Sequence, residues 1–478
     1  MNLSRLRPTA FARLVLVAWL VAAILFAWRR IPFYDEWYSI TLARDATWPE
    51  FKAALAADVH PPWLALLDRA LFAVCPDRRV LCLPRLAASF VAILLLRHVV
   101  LRHWPSVGPT LTALAAFHPV VFMYAGAVRW YPFAFLADAT RAWARWGASS
   151  RRAAKLGFFG GAVLGVVSGY AEAVLVAVDA AWLIGRERER GSVATVACSG
   201  AAAAVTVLAA PFVRGWWIPA AEKPFLRSLV TWATLGPLGS VIVPWPLTLV
   251  VLMALPGLSW ALARALRAGA ARPFSMWIVT VGLTWAALAK HVEHPRYSLA
   301  LWYLTTCALG LLRGSRLADG ARLASASYLG LSLWLTVRQH DFAFKDDNEM
   351  SPSDCALLVP NPSTLVVTAY ARTAEELKRI CHVPDVVSAR NARIYAPQHD
   401  LAPLRAALNA GPVTFVHTNA PGPVLDDVTD RLHDTLAERC RLEDVRQVAS
   451  SPLARLRRAL KPDSPLFHYT TERWACSE

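Results

Sequence analysis

The chain has 478 residues, of which 56% are hydrophobic and 18% charged, with a mean hydropathy of +0.37. Soluble domains are typically about 45–50% apolar and cover themselves with charge, so a wholly soluble fold is excluded. The formal charge of +16 would suit a nucleic-acid partner, but none is expected, because the arginines punctuate apolar runs instead of gathering on one segment.

A membrane span needs about 20 apolar residues. Starting from a cytoplasmic N-terminus, the pattern predicts a first span near Leu14–Trp28, an outer loop Arg29–Leu83, and a second span near Pro84–Val100. The third runs near Val107–Ala125, with an outer turn at Gly126–Trp130, and the fourth near Tyr131–Trp146. Spans five and six (Leu156–Ser168 and Ala171–Ile184) are short and are joined by Gly169–Ala171. Span seven is near Val193–Pro211, followed by an outer loop through Ser240. Spans eight to eleven fall near Val241–Ala263, Phe274–Lys290, Tyr297–Leu312 and Leu323–Val337. This makes about eleven spans, with every basic cluster on one side, as the positive-inside rule requires. Those clusters are Arg5–Arg13, Arg97/Arg102, Arg141–Lys155, Arg186–Arg190, Arg264–Arg272 and Arg313–Arg322. The first span reads as a retained helix and not a cleaved signal peptide, since apolar sequence continues to Trp28 and Arg29-Arg30 follow directly.

Beyond Val337 the composition turns polar. Strand-like pieces (Leu365–Thr368, Val413–His417) alternate with helix-like pieces (Ala374–Cys381, Leu401–Asn409, Val428–Arg439). The expected fold is therefore mostly α, a polytopic membrane bundle over 1–338, with a C-terminal soluble α/β domain over 339–478 outside the membrane. Of eight cysteines, Cys198 and Cys307 lie in spans, Cys75 and Cys82 in the first outer loop, and Cys355, Cys381, Cys440 and Cys476 in the C-terminal domain. The outer ones are compatible with disulfides in an oxidising compartment, and four cysteines leave three pairings open.

The first outer loop carries the chemistry. Asp35-Glu36 follow the first span directly, and Asp58-Val-His60-Pro61-Pro62 come later in the loop. Carboxylates beside a bilayer are costly and point to function; the ordinary alternative is that they cap an interfacial helix. Arg129, Arg296, His294 and His291, with Arg214, Lys223 and Arg227, are basic groups on the outer side that break the positive-inside pattern. Their ordinary roles would be head-group binding or solvated loop charge. Of the 20 tryptophans, Trp37, Trp48, Trp63, Trp130, Trp216 and Trp217 map to the outer interface, and most of these six suit an interfacial belt. Asp138, Glu172 and Asp179 lie within or at the edges of spans; Asp138 and Asp179 are expected to make polar helix contacts, and none of the three is assigned a catalytic role.

The order Asp35-Glu36, Asp58-Val-His60-Pro61-Pro62, Arg85-Leu86, Arg129-Trp130-Tyr131 and Pro295-Arg296-Tyr297 resembles the GT-C class of membrane glycosyltransferases. Within it, the resemblance is to the branch of protein O-mannosyltransferases and lipid A aminoarabinose transferases. It covers most of Met1–Arg338, and it departs where relatives carry Lys before Pro-Pro and this chain has His60. The resemblance implies a multi-pass enzyme of a bacterial inner membrane, N-terminus cytoplasmic and C-terminal domain periplasmic, that moves a hexose or pentose from a polyprenyl-phosphate donor. The acceptor (lipid, glycan or protein) stays open. Asp35 would be the general base, Glu36 would orient the acceptor or assist a metal, and Asp58 would join them if the loop folds back through Pro61-Pro62. His60, Arg129, Tyr131, His294, Arg296 and Tyr297 would bind substrate and its leaving phosphate. No cofactor is assigned; the acidic pair suits a divalent Mg or Mn ion and metal-free action alike. Competing readings are a transporter or flippase of lipid-linked glycans, and a non-catalytic relative that binds a partner through its outer domain.

Overall fold

The structure is a computed structural model of the full chain. It describes residues 8–29, 34–57, 62–103, 112–113, 116–117, 119–169, 172, 175–177, 179–180, 200, 355–360, 364–368, 373–374, 377–378, 381–384, 386–388, 408, 411–418, 423–449 and 468–476. Spans seven to eleven therefore lie outside the described residues, apart from residue 200. Two compact units divide the chain. One comprises Met1–Arg30 with Leu55–Phe344, the other Ile31–Ala54 with Lys345–Glu478. The segment bearing Asp35 and Glu36 thus groups with the C-terminal unit.

In the first unit the described elements are helical. They are α1 (Pro8–Arg29), α4 (Trp63–Val74), α5 (Arg79–His103), α6 (Pro119–Tyr124), α7 (Tyr131–Trp146) and α8 (Arg151–Ser168). Among the described residues α5 alone is long and apolar enough to cross a bilayer by length and composition; the apolar part of α1, Arg13–Trp28, is shorter. Yet α1 is apolar on every side. Val15, Leu16, Trp19, Ala23 and Phe26 face the protein, while Leu14, Val17, Val21, Leu25 and Trp28 form an exposed stripe. An all-round apolar helix with an uncovered face fits lipid, not water.

Helices α5 and α7 run parallel, and their ends agree with the charge pattern. Arg102 Nη1 donates to the carbonyl of Gly147 at 2.9 Å, and the rings of His98 and His103 lie 3.2 Å from the carbonyls of Gly147 and Trp146. Side-chain donors here take up carbonyls that a helix end leaves without partners. The Arg102 cluster and the Arg151/Arg152 cluster therefore sit at one end of the bundle. Ser150 caps α8, its Oγ accepting from Ala153 N at 3.2 Å.

Contact between α7 and α8 depends on glycine. Gly157, Gly161 and Gly165 recur every fourth residue, which is one helix face. A Cβ on Gly161 would lie 2.9 Å from the Ala137 carbonyl oxygen, and one on Gly165 would lie 2.8 Å from Arg141 Nη1. Small residues let the backbones approach this closely. Gly169, just past α8, meets the Trp130 ring in the same way.

Polar helix contacts at Asp138 and Asp179 are present, gathered on Arg141. Its guanidinium pairs with Asp138, with Glu172 at 3.2 Å and with Asp179 at 3.0 Å, and donates to the Gly161 carbonyl. Arg145 adds a second bond to Asp179 at 3.2 Å. Arg141 and Arg145 were grouped from sequence with a basic loop cluster. They sit inside α7, within the expected fourth span, and Arg141 is buried among carboxylates. Charge parity counts a basic residue without seeing the acids a neighbouring helix brings to it.

In the second unit, α2 (Tyr34–Asp45) and α3 (Trp48–Ala57) precede the C-terminal elements; Leu55–Ala57 at the end of α3 belong to the first unit. These are α9 (Cys355–Leu358), β1 (Leu365–Thr368), β2 (Val386–Ser388), β3 (Gly411–Thr418), α10 (Pro423–Ala437), β4 (Cys440–Ala449) and β5 (His468–Cys476). The sheet order is β2-β1-β3-β5-β4, parallel across β2, β1 and β3 and antiparallel across β3, β5 and β4. Strand alternation sorts the core. Val367, Val413, Phe415 and Trp474 pack with Leu432 and Leu436 of α10, while Val366, Val416, Val448 and Tyr469 pack with Leu358 and Leu377 on the other side. Of the three pairings left open, the structure has Cys355–Cys381 and Cys440–Cys476. Cys440 and Cys476 are direct partners across β4 and β5. Cys75 and Cys82 are not disulfide-bonded.

Candidate active site

The best-defined group of candidate residues lies in the first unit, where the start of α5 meets the turn before α7. Helix α4 has the sequence Trp63-Leu-Ala-Leu-Leu-Asp68-Arg-Ala-Leu-Phe72-Ala-Val74, and its residues Asp68 and Phe72, one turn apart, are buried. A carboxylate on that apolar face needs a cation. Arg85 of α5 supplies it, with Nη2 2.8 Å from Asp68 Oδ2 and Nη1 close to Oδ1. The bond from Nη2 to Oδ2 is a charge-assisted hydrogen bond, and the contact of Nη1 with Oδ1 is an ion pair without one. Arg85 Nη1 also donates to the Leu81 carbonyl at 2.9 Å, and the guanidinium stacks over Phe133 at 5.6 Å. Pro84, just before it, removes one rung of the helix ladder.

The turn carrying Arg129 is pinned at several points. Ser89 Oγ of α5 donates to the Ala125 carbonyl at 3.1 Å. Gly126 packs so tightly that a Cβ there would lie 2.6 Å from the Ala27 Cβ. Arg129 N donates to the Ala127 carbonyl at 2.7 Å, and Trp130 opens α7. Arg129 is half-buried. Tyr131 is fully buried, edge-on to Tyr124 at 5.0 Å and against Trp130 at 4.7 Å. Burial pushes the Asp68 carboxyl above its ordinary value; the charge and hydrogen bonds of Arg85, then the charge of Arg129, pull it back only in part.

Of the other sequence candidates, two fall in the second unit. Asp35 and Glu36 fall in the first turn of α2, and Glu36 is fully buried in the second unit. Asp58, His60, His294, Arg296 and Tyr297 lie outside the described residues. Among the described residues, no group of three or more His, Cys, Asp or Glu is set to hold a metal ion. Asp68 was not singled out from sequence, although an acid one turn before Phe72 on the apolar face of a short helix was a readable signal. Arg85 entered only as part of the motif order.

A second buried polar group sits in the C-terminal unit. Glu472 of β5 accepts from Trp474 Nε1 at 3.0 Å, and its two oxygens lie 3.1 Å from His417 Nε2 and 3.3 Å from His433 Nε2. Burial would push its carboxyl up, but His417, His433 and Trp474 together outweigh burial and hold it below its ordinary value.

No family model matches the chain, and no curated protein does. Among solved structures it is similar to ArnT from Cupriavidus metallidurans bound to undecaprenyl phosphate. That alignment has 13% identity and a TM-score of 0.46, and covers 96% of this chain and 97% of that one. The apo state of the same protein aligns over the same shares at 12% identity with a TM-score of 0.38. Both alignments run nearly end to end, at an identity and superposition too low to carry residue roles across.

Proposed function

We propose that the chain is a membrane glycosyltransferase that takes a sugar from a polyprenyl-phosphate donor at the outer face of a bacterial inner membrane and passes it on with inversion. The observation that carries the reading is the motif order in the chain, with an acidic pair directly after the first apolar helix and an Arg-Trp-Tyr turn two spans later. In the reaction the acceptor hydroxyl oxygen attacks the anomeric carbon and the bond from that carbon to the phosphate oxygen breaks. The hydroxyl proton passes to the Asp35 carboxylate, and polyprenyl phosphate leaves. A positioned base speeds such an attack by about 10²–10⁴-fold, and fixed positive charge stabilises the leaving phosphate most where water is excluded. Arg129, Arg296 and His294 are the cations assigned to it. Tyr131, Tyr297 and His60 complete substrate binding. Asp58 assists the acidic pair, and Glu36 orients the acceptor or a divalent Mg or Mn ion.

The test is transfer in membranes from cells making the wild-type chain or Asp35→Ala at matched abundance, supplied with radiolabelled polyprenyl-phosphate sugars. Loss of transfer in Asp35→Ala supports the base assignment. Transfer that survives moves the role to Glu36 or Asp58. No transfer by wild type overturns the reading.

A transport reading draws on a different observation, the buried charges on α7 and the segment 172–180. Intramembrane ionisable groups of that kind often mark pathways. Translocation of a lipid-linked glycan across proteoliposomes, independent of sugar transfer, would favour it.

A further inference from the structure

We propose that the end of the bundle where α5, α7 and α8 meet is a docking site for an anionic phospholipid: Arg102, Arg152 and Lys155 hold its phosphate headgroup, and an acyl chain lies along Leu156 and Phe159 of α8. The site goes beyond the glycosyltransferase reading, which assigns its chemistry to the other side of the membrane.

The cations at this end are not there to pair with carboxylates of their own helices. Helix α5 contains no Asp or Glu, and neither does the stretch between Asp138 and Glu172. The acids that bound that stretch are engaged elsewhere, Asp138 and Glu172 on Arg141, and Asp179 on Arg141 and Arg145. Arg152 and Lys155 are exposed, and neither makes an ion pair among the described residues. Arg102 is exposed too, but its place is fixed. Its Nη1 donates to the carbonyls of Gly147 at 2.9 Å and Ala148 at 3.3 Å, which leaves Nε and Nη2 to donate outward. Three peptide units join Ala148 to Arg151, a reach of at most about 11 Å. The guanidinium carried by α5 and the charges on the first turn of α8 therefore stand close together. A phosphodiester accepts well from such donors, and a guanidinium gives it two at once.

The next turn of α8 marks the partner as a lipid. Arg152, Leu156 and Phe159 follow at i, i+4 and i+7, which is one helix face. Leu156 is 62% exposed and Phe159 38%. A different face, Gly157, Gly161 and Gly165, packs on α7. Cations followed one turn later by uncovered apolar side chains reproduce the order of a phospholipid, phosphate at the surface and hydrocarbon beneath. A soluble phosphate would make no use of Leu156 and Phe159.

The test is native mass spectrometry of the purified full chain in micelles, titrated with phosphatidylglycerol and with phosphatidylcholine; glycerol 3-phosphate serves as the headgroup alone. Wild type is expected to prefer phosphatidylglycerol. Each cation beside an anionic lipid is worth about fivefold, so Arg152→Gln with Lys155→Gln is expected to lose about 25-fold of that preference. Arg264→Gln with Arg267→Gln takes the same charge from another basic cluster, and is expected to stay within about twofold of wild type. Leu156→Ser with Phe159→Ser is expected to weaken phosphatidylglycerol binding about tenfold. The four positions substituted on α8 are exposed, so these variants keep the core intact. Equal binding of the two lipids by wild type, or an equal loss in the two charge-removed pairs, overturns the proposal. So does displacement of phosphatidylglycerol by an equal concentration of glycerol 3-phosphate, which would make this a site for a soluble phosphate. None of these outcomes bears on sugar transfer, which is read in its own assay.

Discussion

Replacing Arg141 with methionine removes the hub that three carboxyl groups share. Asp138, Glu172 at 3.2 Å and Asp179 at 3.0 Å all lose it, and among the described residues only Asp179 keeps a cation, Arg145 at 3.2 Å. Methionine fills much of the volume, so the cavity term is small and the loss is electrostatic. Removing one partner of a buried pair costs about 3–5 kcal/mol, because the other charge stays buried and uncompensated. Arg141→Met is therefore expected to destabilise by about that amount in equilibrium denaturation of the purified chain in micelles. Neutralising the acids should reverse the effect. Arg141→Met combined with Asp138→Asn and Glu172→Gln is expected to recover at least about half of the loss, since contacting residues are not additive. An Arg141→Met variant within about 1 kcal/mol of wild type, or a triple variant no better than the single one, would refute this account of the cluster.

The glycine face of α8 gives a paired test. Gly161→Ala, whose Cβ would press on the Ala137 carbonyl and on Arg141, is expected to cost about 1–3 kcal/mol. Gly160→Ala, with nothing within 4 Å of its Cβ, is expected to stabilise by up to about 1 kcal/mol through helix propensity; denaturation of both variants checks the contrast. In the C-terminal unit, Glu472 has its carboxyl held below the ordinary 4.5. A depressed carboxyl contributes stability above its unfolded value and loses it as pH falls through the folded one. Hydrogen-exchange protection of β3 and β5, corrected for intrinsic rates, should hold from neutral pH to about that ordinary value and fall below it in wild type, with a flatter profile in Glu472→Gln. Thiol labelling under native conditions should modify Cys75, whereas Cys355, Cys381, Cys440 and Cys476 should label only after reduction; their modification without reductant would contradict the two disulfides.

Much of the membrane half was legible because its signal is coarse. The helix expected near Pro84–Val100 is α5, Arg79–His103, and the one expected near Leu156–Ser168 is α8, Arg151–Ser168. Each extends into its basic flank, since arginine stems continue a helix past its apolar centre. Strand β1 coincides with the expected Leu365–Thr368, a short buried run, and Val413–His417 lies within β3. Strand β4 was not legible. It is an edge strand, Cys440-Arg-Leu-Glu-Asp-Val-Arg-Gln-Val-Ala449, exposed over most of its length, so no alternation of apolar residues marks it. Charge on an edge strand guards against pairing with other chains, and it hides the strand from a hydrophobic pattern. Strand β5 was missed because Glu472 and Arg473 interrupt it; Glu472 is buried only because His417, His433 and Trp474 receive it. The Arg141 cluster and the Asp68–Arg85 pair share one cause of invisibility. Each joins residues on different helices, 17 positions apart for Asp68 and Arg85 and 38 for Arg141 and Asp179, and spacing along the chain does not report such contacts. Arg129-Trp130-Tyr131 could be recognised because its residues are contiguous.

In the proposed reaction a lipid phosphate is the leaving group. The most direct measurement incubates the purified wild-type chain in lipid with a doubly labelled polyprenyl-phosphate sugar and an acceptor-containing membrane extract, and follows free polyprenyl phosphate and transferred sugar together. The account predicts that the two appear in equal amounts, that neither appears without the chain, and that nucleotide sugars do not substitute. Sugar transfer from a nucleotide donor without release of polyprenyl phosphate, or no release at all with an active preparation, would contradict it.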